Sequence, residues 1–223
     1  MAAHLGALLE GHPHKDAFFL WQVKPTVIFG RNQVMEAEVN MPYCREKHIH
    51  LYRRKSGGGC VYSDEGNIML SYITDSTDVE STFGRYLDTL CSYLRASGLD
   101  AEKSGRNDIL VGGRKVSGNA FFLKKESSIV HGTMLFDTDF DELERAITPS
   151  EAKIRSKGVS SVRQHVTNLK PIYEEMGSPL ADIAAFRNYL LDCFCREDGG
   201  ALRNLTLTEE QVSEIEEISN HVI

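Results

Sequence analysis

Three adjacent glycines, Gly57-Gly58-Gly59, follow a basic triplet and a serine, Arg53-Arg54-Lys55-Ser56, and run into Cys60-Val61-Tyr62. Glycine loses more backbone entropy on folding than any other residue, so a run of three is a costly way to build a plain turn. What a loop without Cβ atoms gains is close backbone approach. Its N–H groups can turn inward around an anion or a flat ligand, with the arginines adding charge at the rim. An isolated Ser-Gly-Gly-Gly reads first as a solvated turn with incidental basic neighbours, because short glycine strings are common in loops. Here Asp64-Glu65-Gly66-Asn67 and the apolar Ile68-Met69-Leu70 follow closely, which suggests a turn pinned between two strands.

A chain of 223 residues can bury one good core, and 41% apolar with 26% charged residues is ordinary for a soluble globular protein. The net charge of −7 argues against a non-specific nucleic-acid binder, which needs a basic surface, but leaves room for a local basic pocket. Apolar runs fall far short of a bilayer span, and the N-terminus lacks the pattern of a signal peptide. A soluble, cytoplasmic protein with no membrane partner is expected. Cys44, Cys60, Cys91, Cys193 and Cys195 form an odd set without C-x-x-C spacing, so neither a disulfide framework nor a zinc site is indicated.

Ala17 to Trp21 and Thr26 to Phe29 read as two strands joined by a tight connection. Val34 to His48 is polar enough for a helix with loops. Val79, Phe83, Leu87, Leu90 and Leu94 recur at three and four, predicting an amphipathic helix closed by Ser97-Gly98. Ile109 to Val111, Lys115 to Leu123 and Ser128 to Phe136 read as strands. Ala181 to Cys195 reads as a helix, and Thr208-Glu209-Glu210-Gln211 is a capping box opening another through Ile218. Strands with interspersed helices, without regular βαβ alternation, predict an α+β fold.

A second cluster is Gly105-Arg106-Asn107-Asp108 followed by Gly112-Gly113-Arg114-Lys115-Val116-Ser117-Gly118. Lys115 is either an ordinary solvated turn residue or a fixed cation that bridges a substrate carboxylate and a phosphate. His131-Gly132-Thr133 places a polar group inside a strand, where a lone histidine is more often a satisfied core or turn residue than a catalyst.

Together these residues resemble the lipoate–protein ligase family. Its arginine-arginine-x-serine-triple glycine loop stands here as Arg53 to Gly59, and its aspartate-x-glycine-asparagine as Asp64 to Asn67. Gly105 to Asp108, Lys115 to Gly118, and His131 to Thr133 match its next three motifs. Ser161 to Arg163 and Val166 to Leu169 match a later segment. Motifs in this order across about half the chain make chance agreement remote, although any one alone is weak.

The resemblance implies a mixed, largely antiparallel sheet flanked by helices, like the biotin protein ligase catalytic domain. It would form one domain over 1–223, helical from about 171 onward. It also implies a reaction in which lipoate and Mg²⁺-ATP give lipoyl-AMP and pyrophosphate. The acyl group then passes to a lysine of a lipoyl carrier domain, in a 2-oxoacid dehydrogenase or the glycine cleavage H protein. On this chain Lys115 would contact the lipoate carboxylate and the α-phosphate. Arg54 and the backbone of Gly59, Cys60, Val61 and Tyr62 would help bind nucleotide, while Gly57, Gly58 and Gly59 line an acyl tunnel. Ser117, Gly118, His131 and Gly132 belong to the same implied site. Asn107 and Asp108 are read as the adenine or Mg²⁺ side, with Asp108 the metal ligand, or equally as a turn-forming pair. Asp64 and Asn67 read as turn stabilisers.

Related octanoyl or lipoyl transferases use a cysteine nucleophile and no ATP. Cys60 reads as a small apolar filler where the family usually has a residue such as alanine, and Cys193 and Cys195 lack an obvious basic neighbour. A non-catalytic lipoate-binding protein would be expected to lack the lysine. The chain departs from the family at both ends. Its first strand and helix are shortened into Met1 to Glu10, and beyond Ile218 it stops where a linker to a small accessory domain would begin. Three expectations stand: a sequence cut short of that domain, an accessory domain supplied separately, or transfer only from a preformed acyl-adenylate.

Overall fold

The computed structural model describes residues 16–147, 165–197 and 206–220. Met1 to Glu10 and Ser161 to Arg163 lie outside them. In chain order the elements are β1 (Ala17–Trp21), β2 (Thr26–Phe29), α1 (Met35–Glu38), α2 (Met41–Glu46), β3 (His50–Arg53), β4 (Val61–Ser63), β5 (Asn67–Thr74) and α3 (Val79–Ala96). Then come β6 (Ala101–Ser104), β7 (Asp108–Val111), β8 (Arg114–Leu123), β9 (Ser128–Leu135) and α4 (Phe140–Ala146). The described remainder is helical: α5 (Lys170–Glu175), a 3₁₀ turn (Pro179–Ala181), α6 (Ile183–Glu197) and α7 (Glu209–Asn220).

The α+β class holds, but the strands divide between two sheets. A six-stranded antiparallel sheet has the order β1-β5-β9-β8-β7-β6, and a three-stranded mixed sheet the order β3-β2-β4. β1 and β2 are therefore strands over the predicted residues but do not pair with each other. β1 runs antiparallel to β5, while β2 is parallel to β3 and antiparallel to β4. Local apolar content identifies a strand, whereas its partner is set by long-range packing. β2 is the central strand of the small sheet, with Thr26, Val27 and Phe29 buried. The predicted 34–48 helix splits at Val39, which bridges Ile147, and Asn40, whose side chain caps α2 by accepting from Tyr43 N–H at 3.3 Å.

Side chains alternate across a strand, so the register sorts the large sheet into two faces. Ile68, Leu70, Val130, Met134, Ile109 and Val116 occupy the main core with Leu87, Leu90 and Leu94 of α3 and Phe186 and Leu190 of α6. Asp78 caps α3 through Ser81 N–H at 3.1 Å, and in the predicted stripe Leu87, Leu90 and Leu94 are buried, Phe83 is partly buried and Val79 is 37% exposed at the first turn. The capping box opening α7 is formed: Thr208 N–H donates to Gln211 Oε1 at 2.9 Å, and Gln211 N–H to Thr208 Oγ1 at 3.3 Å. β3 and β6 escape sequence pattern because both are short edge strands of mixed polarity. No helix of the described residues is long and apolar enough to cross a membrane.

Asp64 and Asn67 act in the turn, as expected. The Asp64 carboxylate accepts from Gly66 N–H at 3.0 Å and Asp139 N–H at 2.9 Å, while Asn67 Oδ1 accepts from Met134 N–H at 3.1 Å. Burial pushes the Asp64 carboxyl up, and those two N–H bonds oppose it. Gly66 O accepts from Asp137 N–H at 2.7 Å, and a Cβ at Gly66 would lie 2.1 Å from Asp137 O. That clash is with backbone and has no rotamer escape. Gly66→Ala is expected to destabilise the fold by roughly 2–3 kcal/mol in urea unfolding. Gly57→Ala, which meets nothing within 4 Å, should stay within about 0.5 kcal/mol.

Candidate active site

The glycine loop is held from beneath by Arg54. Its Nη2 donates to Gly57 O at 2.8 Å and Gly59 O at 2.7 Å, its Nε to Gly57 O at 3.1 Å, and its Nη1 to Ile28 O at 2.9 Å. A planar fork of donors suits a loop whose carbonyls are bare of side chains. Burial pulls this guanidinium below its ordinary value, against the opposing influence of Cys60 and Glu38. Arg53 also turns inward, donating to Arg31 O at 3.1 Å and Gln33 O at 2.9 Å, with its guanidinium carbon 4.5 Å from the centre of the Phe29 ring. Arg54 therefore holds the loop and Arg53 the neighbouring 30–33 segment, where the sequence suggested that both add charge at the rim. Gly58 needs to be glycine: its φ is +96°, and a Cβ would lie 2.7 Å from Arg54 Nη2. Gly30 fits against it, since a Cβ there would lie 2.0 Å from Gly58 O.

Ser56, just before the glycines, is 3% exposed, and its Oγ lies 2.6 Å from His131 Nε2. This bond brings the loop over one face of the large sheet. The register puts Ser71 beside His131, Met69 beside Thr133, and Gly118 and Ala120 beside Thr133 and His131 on that face. Apart from Met69 these are small or polar side chains, unlike the apolar set on the opposite face. Burial, reinforced by the Arg54 charge, pushes the His131 imidazole down to about 4, so it is neutral at pH 7.

Lys115 reaches the same face through an irregularity. Leu110 pairs with Lys115 but Ile109 pairs with Ser117, so β8 carries one extra residue, a β-bulge. Lys115 and Gly118 are three apart and would face opposite ways in a regular strand. The bulge places both on the side of Asp108, which pairs with Gly118. Lys115 Nζ then lies 2.7 Å from Asp108 Oδ1, and side-chain exposures of 34% and 27% leave the pair within reach of a ligand. Gly118 is the floor under the lysine, because a Cβ there would lie 2.8 Å from Lys115 Nζ. The backbone of Lys115 is held by the later segment: its N–H donates to His165 O at 2.7 Å and its O accepts from Thr167 N–H at 2.9 Å.

The structure thus brings together Lys115, Asp108 and Gly118, and, on the same face, His131, which bonds Ser56 at the start of the glycine loop. Ser117 goes elsewhere: it is fully buried on the opposite face, where its Oγ accepts from Asn119 Nδ2 at 3.0 Å. Gly132 also lies opposite, paired with Asn119. Asn107 is taken up in a turn contact, its Nδ2 donating to Asn119 O at 3.1 Å. Tyr62 is 1% exposed in the small-sheet core, and Cys60 N–H donates to Glu38 Oε2 at 3.3 Å. Sequence reasoning passed over Asn119 because an asparagine inside a strand carries no pattern until its partners are known. None of the five cysteines forms a disulfide; Cys44 and Cys91 are buried, and burial pushes both thiols up. Among the described residues no group of three or more His, Cys, Asp or Glu is arranged to hold a metal ion. Asp108 is a single carboxylate, which suits Mg²⁺ arriving with phosphates, since that ion keeps waters and takes one or two protein oxygens.

The structure is a two-sheet α+β domain in which Ser56, leading the glycine loop, is bonded to His131 on one sheet face, with the Lys115–Asp108 pair on the same face. A family model of the lipoyl protein ligase A/B catalytic domain matches residues 4–195, and the chain belongs to that family. It is 38% identical over 216 residues to lipoate–protein ligase 1 of Staphylococcus aureus, covering 96% of this chain and 64% of that relative. The chain therefore spans a little under two-thirds of that relative's length. Among solved structures it resembles a bi-partite lipoate protein ligase of Thermoplasma acidophilum, described together with its E2 lipoyl domain. The TM-score is 0.82 at 29% identity, over 98% of this chain and 86% of the other. It also resembles a lipoate-protein ligase A bound with ATP, with TM-score 0.79 at 28% identity over 98% and 88% of the two chains.

The neutral His131 generates a pH prediction. Its folded value of about 4 lies below the ordinary 6.5, so protons bind the unfolded chain first. Stability should fall as pH drops from about 6.5 to about 4 and level off below, a loss on the order of 3 kcal/mol. Urea midpoints of wild type and His131→Asn across this window test it. The variant should lack that slope, whatever the carboxylates contribute to both proteins.

Proposed function

We propose that this chain is the catalytic domain of a lipoate–protein ligase, occupying residues 1–223 and acting in the cytoplasm. A lipoate carboxylate oxygen attacks the α-phosphorus of ATP, the bond to pyrophosphate breaks, and lipoyl-AMP forms. A carrier lysine amine then attacks the acyl carbon and releases AMP. The observation that carries the reading is the Lys115–Asp108 pair on the polar face, 2.7 Å apart and reachable, with the glycine loop pinned across that face.

Bringing a carboxylate to a phosphate sets two anions against each other, and a preorganised cation acts where that repulsion is greatest. Lys115 supplies it, shifting from Asp108 to the two substrates. The loop from Gly57 to Gly59, with the backbone of Cys60, Val61 and Tyr62, provides the wall shared by acyl chain and nucleotide. Arg54 keeps that wall in shape and lends it positive potential from behind. Asn107 and Asp108 lie at the adenine or metal side, and Asp108 would hold the Mg²⁺ that arrives with ATP and neutralises phosphate charge. His131, neutral, borders the acyl site, and Gly118 gives Lys115 its path; Ser117 and Gly132 support from the other face. Family membership and the likeness to an ATP-bound ligase support the nucleotide assignment. The neighbour described with its E2 lipoyl domain supports lipoyl carrier domains as partners; the carriers proposed are those of 2-oxoacid dehydrogenases and the glycine cleavage H protein. An accessory domain supplied in trans fits the same reading.

Lys115→Ala is expected to lower lipoyl-AMP formation by roughly two to three orders of magnitude, as loss of one preorganised donor does. Pyrophosphate release from ATP is measured with lipoate and an apo carrier domain, with and without an accessory domain. Near-wild-type release by the variant would sink the assignment. ATP-independent acyl transfer lost with a single cysteine would replace it with a transferase, and lipoate binding without either activity would replace it with a binding protein.

A further inference from the structure

We infer that Asn119 is a positioning residue for Lys115, acting from the opposite face of the sheet. The inference rests on the reading of Lys115 given above. Asn119 is 5% exposed, so it does not meet a ligand on the Lys115 face. Its main-chain N–H donates to Asn107 O at 2.9 Å, and its Nδ2 donates to the same oxygen at 3.1 Å. Asn107 Nδ2 returns a bond to Asn119 O at 3.1 Å. A second Asn119 Nδ2 contact, 3.0 Å to Ser117 Oγ, ties the clamp to the residue beside the bulge.

This clamp closes on the residue directly before Asp108, at the point where β7 leaves its turn. Asp108 is the partner that holds the Lys115 ammonium, and the bulge that brings Lys115 to that face lies between Asn119 and Lys115. One side chain therefore fixes both ends of the ion pair: Asp108 through Asn107, and the bulge through Ser117. Its Oδ1 has no hydrogen-bond partner among the described residues. A buried acceptor left unpaired is unfavourable, so the amide is not there for its own satisfaction. The same oxygen explains Gly132 in the His131-Gly132-Thr133 motif, since a Cβ at that position would lie 1.9 Å from it.

Misplacement of a charged group by about 1 Å costs on the order of a hundredfold in rate. Asn119→Ala should therefore lower kcat for pyrophosphate release from lipoate and Mg·ATP by about 10- to 100-fold, with KM for lipoate changed less than about threefold. In a Lys115→Ala background the same change should have less than about a twofold effect, because the group it positions is gone. A purely structural role would act equally in both backgrounds, and that result overturns the inference. So does a crystal structure of Asn119→Ala with Lys115 Nζ still within hydrogen-bond distance of Asp108, even if activity falls. Where Asn119→Ala does not fold, the near-isosteric Asn119→Asp replaces the donor with an acceptor facing Asn107 O, and the same two readouts apply. If Lys115→Ala itself retains full rate, the function proposed above fails, while the crystallographic test of positioning still stands or falls separately.

Discussion

A run of three glycines has no preferred shape, and everything at this site depends on something giving it one. Arg54 does so by placing a buried guanidinium under the loop carbonyls of Gly57 and Gly59 and tying them to Ile28 of β2. Hydrogen bonds to a charged donor are stronger than neutral ones, and inside the protein they lose little to water. The loop becomes an extension of the small sheet, and Ser56 can then meet His131 on the large one. Two sheets that share no strand pairing are joined by these polar contacts across the site.

The large sheet contributes the opposite wall. One face is apolar and packs on α3 and α6; the other presents small and polar side chains around His131 and a separate apolar cluster at Ile73 and Ile129. An unbroken β8 would have aimed Lys115 at the apolar core, where an unpaired ammonium is strongly disfavoured. The bulge between Lys115 and Ser117 resolves this by breaking the alternation at Val116, which packs into the core at 0% exposure and leaves Lys115 on the face of Gly118. Bulges beside functional sites commonly serve to re-aim one side chain. Gly118 completes the device by leaving open the path that the lysine follows to Asp108.

Much of this was legible beforehand. The 79–96 helix, the α7 capping box and the strands of the large sheet other than β6 follow from periodicity and capping chemistry, which are local and repeat along the chain. The motif residues Lys115, Asp108, Gly118 and His131 stood out as a group, and the structure places them on one face. Less accessible were the sheet partners of β1 and β2, because adjacent strands in sequence need not be adjacent in space. The inward turn of Arg53 and Arg54 was also hidden: a basic triplet beside glycines reads as a rim until the carbonyls it meets are known. Ser117 shows the limit most plainly. It lies two residues from Lys115 and belongs to the same motif, yet the bulge sends the two to opposite faces.

Residue chemistry alone specified the family, the α+β class and the inventory of charged and glycine positions, because motifs and periodicities are written in neighbouring residues. The fold decided which of those residues face one another. Whether Lys115 looks toward Asp108 or into the core turns on a single extra residue in β8, and whether the loop has a shape turns on Arg54 reaching Ile28, 26 positions away. Such outcomes depend on register and long-range contact, which exist only once the chain has closed on itself.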